Sequence, residues 1–124
     1  MNGQTLLLRQ IHPSFVQRGR ITSQAFRPTP KDDKRLSVYD GDRIGAQAAY
    51  DHYVGALGYA SAGVMAVNVP ECTELDLPVY SNPEPFQEHC VIDFSAFEKR
   101  RIEAKAKLLK ARAEKRSWLY CEND

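Results

Sequence analysis

The chain has 124 residues, with 17 Lys and Arg against 16 Asp and Glu, for a formal net charge of +1. Apolar residues make up 43% and charged residues 27%, the balance of an ordinary globular domain. That length suits one domain with a core able to fold without disulfides, and the near-neutral total excludes a histone-like or acidic-tail polyelectrolyte.

The first residues, Met1 to Thr5, lack the basic region of a secretory signal, and Leu6-Leu7-Leu8 is too short for its apolar segment. An apolar run of ~20 residues, the length of a membrane helix, is absent. Cys72, Cys90 and Cys121 are odd in number and have no C-x-x-C spacing, so three reduced thiols in a cytoplasmic protein are expected.

Strand patterns open the chain at 5–11 and 19–26 and recur at 35–39, where Arg35-Leu36-Ser37-Val38-Tyr39 alternates cleanly. Residues 28–33 carry turn chemistry, and Asp40-Gly41-Asp42 ends the third strand. A helix follows from Ala46 to Leu57, with Ala49, Tyr50, Tyr53, Val54 and Leu57 on one face and Gly58 as its stop. Residues 63–69 read as a strand covered on both faces. A proline-containing connection over 70–88 leads to the last strand at 89–94.

The final helix is expected over about 95–117, opened by a capping box between Ser95 and Glu98, with Phe97, Ile102, Ala106, Leu109 and Ala113 along its inner stripe. The order βββ-α-β-loop-β-α predicts a single α+β domain over 1–124. It would be a mostly antiparallel sheet of about five strands, begun as a meander, with two helices packed against it.

Charge is partitioned along this order. Residues 1–43 carry eight basic and four acidic side chains, and residues 98–124 carry nine and five. The 54 residues between them hold seven acids and no Lys or Arg. The basic ends and acidic middle could therefore face each other within one molecule or between copies.

No phosphate-binding loop, dinucleotide fingerprint, nucleophile elbow or metalloprotease motif is present, so no cofactor is expected. His12, His52 and His89 are scattered, and the adjacent His89 and Cys90 point to opposite faces of a strand. No metal site is expected from them, nor from Asp40-Gly41-Asp42, which lacks the rest of a calcium loop.

Charged side chains within strands need partners. Arg9 and Asp93 could pair with each other. Alternatively Arg9, His12, Ser23 and Gln24 would line a polar cleft, with Asp93 nearby, for an anionic or nucleotide-like ligand. His12 or His89 would carry a proton there if the cleft were catalytic.

The last helix presents Lys99, Arg101, Lys105, Lys110 and Arg112 among its cations. The leading expectation is an accessory protein whose basic helix and acidic loop contact a protein partner or another copy of the chain. Nucleic-acid binding without sequence preference is the alternative, because aromatic residues for base stacking appear only at Trp118 and Tyr120. Membrane adsorption is not expected, since the helix's apolar stripe is rich in alanine.

Overall fold

The computed structural model describes residues 1–29, 31 and 33–121. Its main sheet contains β1 (Leu6–Ile11), β4 (Arg35–Asp40), β5 (Gly63–Asn68), β6 (Val79–Ser81), β7 (His89–Asp93) and β8 (Tyr120–Cys121). These six strands lie in the order β6-β7-β4-β1-β5-β8, and every neighbouring pair is antiparallel. The α+β class is as the sequence predicts, with one strand beyond the expected five.

The opening is not a meander. β2 (Val16–Gln17) and β3 (Arg20–Ile21) form a separate two-stranded ribbon, while β1 lies between β4 and β5. The strand expected over 19–26 stops at Ile21, and Ser23–Phe26 forms a 3-10 turn. A strand would turn Ala25 and Phe26 to opposite faces. Both are fully buried in one apolar cluster with Ile21, and the turn is what brings them to the same side.

Two helices cover the sheet, one on each face. α1 (Ala46–Asp51) continues as a π-helical turn through His52–Ala56. It packs Ala49, Tyr50 and Tyr53 against Leu8, Tyr39, Val64 and Ala66. α3 (Lys99–Arg116) lays Ile102, Ala106, Leu109 and Ala113 over Leu7, Ile11, Leu36, Val38, Met65, Val67 and Ile92. Alternate residues of β1 and β5 feed the two clusters, as the two-residue period of a strand requires.

The predicted capping box at Ser95 and Glu98 does not form. The Asp93 carboxylate accepts the Ser95 N–H at 2.8 Å, so the chain turns first, and α3 starts at Lys99. Instead, a capping box opens α2 (Val69–Thr73), which takes Val69 from the strand expected over 63–69 and the first residues of the proline-containing connection over 70–88. Asn68 Oδ1 accepts the Glu71 N–H at 2.9 Å, and Glu71 Oε1 accepts the Asn68 N–H at 2.7 Å. The edge strand β6 occupies another part of that stretch.

The Glu71 carboxylate also holds Arg116 Nη1 at 2.9 Å, and the same guanidinium nitrogen donates to the Ala66 carbonyl at 2.9 Å. One carboxylate thus ties α2, β5 and the end of α3 together. Glu71→Ala is expected to cost about 1–2 kcal/mol in urea unfolding, by loss of the cap and of the ion pair. Glu71→Gln should recover part of this, because glutamine can still accept the Asn68 amide.

Candidate functional site

The site begins with an incomplete sheet ladder. β1 pairs with β5 from Leu6 to Ile11, but with β4 only at Leu7 and Leu8, opposite Asp40 and Tyr39. Beyond that point the two strands part. A backbone carbonyl left by an opened ladder needs a donor, and Arg9 supplies one to Ser37 of β4 while also holding a carbonyl of the 3-10 turn. Its Nε donates to the Ala25 carbonyl at 2.8 Å and its Nη1 to the Ser37 carbonyl at 3.0 Å.

A cleft of about 540 Å³ lies at this opening. Tyr39, Tyr53, Leu57, Tyr59, Pro85 and Phe86 supply apolar and aromatic walls, and Arg9, Gln10, His12, Ser37 and His89 supply polar groups. Phe86 stacks on Tyr39 with ring centroids 4.9 Å apart and meets His52 and His89 edge-on. The Tyr39 hydroxyl lies 2.8 Å from His52 Nδ1, and burial pushes its pKa above the ordinary value, with Tyr53 and Glu88 adding to the rise. Tyr39 is therefore a neutral hydroxyl over the whole physiological range.

His89 is 7% exposed and both its ring nitrogens are engaged. Nδ1 lies 2.9 Å from the Asn82 carbonyl oxygen and Nε2 lies 3.0 Å from Ser37 Oγ. His12 caps the 3-10 turn Pro13–Phe15, its Nδ1 accepting the Ser14 N–H at 3.0 Å. Gln10 is 5% exposed; its Oε1 accepts from the Ser61 hydroxyl at 2.8 Å, while its Nε2 is buried without a hydrogen-bond partner among the described residues.

Of the residues proposed for a ligand cleft, Arg9 and His12 do line one. Ser23 and Gln24 do not, because their 3-10 turn contributes a backbone carbonyl to Arg9 rather than side chains to the cleft. Asp93 is also elsewhere, and it does not meet Arg9. Its carboxylate accepts from Tyr80 Oη at 3.1 Å and from the Ser95 N–H, and β7 sets it opposite Arg35.

Gln10, Ser37, the three tyrosines and Phe86 were not singled out by sequence. Ser37 is one of the polar positions in the polar–apolar alternation of 35–39, which solvent exposure of one strand face explains equally well.

The basic helix is partly neutralised from within. Arg112 faces Glu74 at 3.7 Å and Arg116 binds Glu71, so the acidic middle does reach the helix. Lys110 pairs with Glu114 at 3.2 Å, and Lys105 donates to the Leu75 carbonyl at 2.7 Å while lying 4.1 Å from the centroid of the Phe97 ring. Lys99, Arg100, Arg101, Lys107 and Lys115 are exposed and make no ion pair among the described residues.

No helix is long and apolar enough to cross a membrane, and among the described residues no group of three or more His, Cys, Asp or Glu side chains is placed to hold a metal ion. The sequence matches no family model, and neither a curated protein nor a solved structure matches the chain.

Asp93 provides a pH test of the β6–β7 edge. Burial pushes its carboxyl up, but the Ser95 and Tyr80 hydrogen bonds and the charge of Arg35 outweigh this and hold it below the ordinary 3.8. A depressed carboxyl stabilises the fold above its unfolded pKa, and that contribution is lost as pH falls through the folded one. Asp93→Asn should therefore flatten the decline of the urea midpoint below about pH 4, relative to the parent protein.

Proposed function

We propose that this protein binds a small anionic molecule with a planar ring, of nucleotide size, in the cleft between β1 and β4. The observation that carries this reading is the early parting of those strands. It leaves a concave space walled by aromatic rings on one part and bordered by Arg9 and His12 on another. Ligand clefts commonly enclose about 300–1,000 Å³, are largely apolar, and carry a few fixed polar groups. Tyr53, Tyr59 and Phe86 suit a planar ring. The Arg9 guanidinium, held in place by two carbonyls, brings a fixed positive charge to the cleft border, which suits a phosphate or carboxylate.

A second reading is favoured by the outer edge of α3. Leu108, 52% exposed, lies there among Arg101, Lys107 and Lys115, which suits an acidic protein surface with a small apolar contact. It keeps the interaction expected from sequence and adds Lys107 and Lys115, which make no ion pair among the described residues, whereas Lys105, Lys110 and Arg112 already have partners in the fold.

The cleft reading is tested by titrating the isotope-labelled protein with AMP and UMP, and separately with adenosine and inorganic phosphate. Amide shifts are expected at Ser37, Tyr39, Phe86 and His89, larger with the nucleotides than with either half. Tyr59, 58% exposed on the cleft rim, can be removed without opening the core. Tyr59→Ala should weaken nucleotide binding about threefold to tenfold, the loss of one stacking contact. Absence of cleft shifts at millimolar nucleotide, or shifts confined to α3, would reject this reading in favour of the second.

A further inference from the structure

We infer that Ser37 is a nucleophile activated by His89, and that the cleft cleaves a carboxylic ester of the molecule it holds. This rests on the cleft being a ligand site, and it adds a reaction to the binding proposed above. The inference comes from how two antiparallel strands place three groups. β4 sets Ser37 opposite Val91, and β7 sets His89 opposite Tyr39, so Ser37 and His89 are diagonal neighbours on one face of the sheet. Ser37 is exposed and lines the cleft, whereas His89 is buried behind it.

Hydrogen bonding decides the histidine's tautomer. The Asn82 carbonyl can only accept, so the ring proton is on Nδ1 and donates to that oxygen at 2.9 Å. Neutral Nε2 is then an acceptor, and its partner at 3.0 Å is the Ser37 hydroxyl. Asn82 is itself held in register, since its N–H donates to the His89 carbonyl at 2.9 Å. Nucleophile, base and orienting group thus form one connected chain, the arrangement on which serine nucleophiles depend.

The reaction balances with water as the only co-reactant. Ser37 Oγ adds to the ester carbonyl carbon as its proton passes to His89 Nε2. The bond from that carbon to the alcohol oxygen then breaks, and the alcohol leaves with the proton from Nε2. Water next attacks the acyl carbon, giving a proton to Nε2. Ser37 departs with that proton, leaving a free carboxylic acid. Arg9 Nη1 donates to the Ser37 carbonyl at 3.0 Å, which fixes the backbone that carries the nucleophile. A backbone carbonyl stabilises the transient imidazolium less than an aspartate would, so turnover is expected to be slow.

A fluorophosphonate reagent tests the nucleophile directly. Ser37 Oγ displaces fluoride at phosphorus, and the adduct is located by mass spectrometry of the peptide spanning Leu36–Arg43. Ser37 should be labelled about 100-fold or more faster than the exposed Ser14, Ser81, Ser95 and Ser117 in the same sample, an internal comparison that needs no variant. Ser37→Ala should abolish the adduct, and His89→Gln, with its fold verified by amide spectra, should slow it by a similar factor. An unlabelled Ser37, labelling no faster than the other serines, or a rate indifferent to His89→Gln would overturn the inference. Nucleotide shifts in the cleft without a Ser37 adduct would leave a binding site without a nucleophile. An adduct without nucleotide shifts would keep the nucleophile and reject the nucleotide-like ligand.

Discussion

Much of this molecule depends on the guanidinium of Arg9, which stands where a sheet ladder should continue. β1 follows β5 along its full length but leaves β4 after Leu8, and Arg9 donates one hydrogen bond to the opened β4 backbone at Ser37 and one to Ala25. Those bonds tie the 3-10 turn at Ser23–Phe26 to the middle of the sheet. The same parting of strands makes room for the cleft. Tyr39, Phe86 and His89 border that cleft.

The charge pattern has a physical explanation within the fold. The acidic middle contributes Glu71 and Glu74 to one flank of α3, where they meet Arg116 and Arg112. On the opposite flank, Arg20 and Lys110 share Glu114. Burial alone would raise the Glu114 carboxyl, but hydrogen bonds from these two cations and their charges hold it below its ordinary value. Exposed pairs of this kind contribute on the order of 0–1 kcal/mol each, so their larger effect is on orientation and on which cations remain facing outward.

The cysteines are consistent with a fold that needs no covalent staples. All three are free. Cys72 and Cys90 are buried, and burial pushes their thiols up to about 12 and about 11, so both are protonated and poorly reactive in the native state. They pack as small apolar side chains in the cluster beneath α3.

Periodicity by itself located β1, β4, β5, β7 and both long helices, because a buried face imposes a spacing that one sequence displays. It also marked Arg9 and His12 as groups that needed an explanation. It failed at Ser23–Phe26, where burying adjacent Ala25 and Phe26 together required a turn, and at Ser95, where Asp93 captured the amide that a capping box would have used. The partner of Arg9, the end of the β1–β4 ladder and the diagonal pairing of Ser37 with His89 were decided only by the tertiary structure. Each depends on strand order and register between segments far apart in the chain, and local residue patterns do not encode which distant backbone lies alongside. A near-neutral total and a segregated order of charge belong to the sequence. Which cations are neutralised and which remain outside was determined by the packing of α2 and α3.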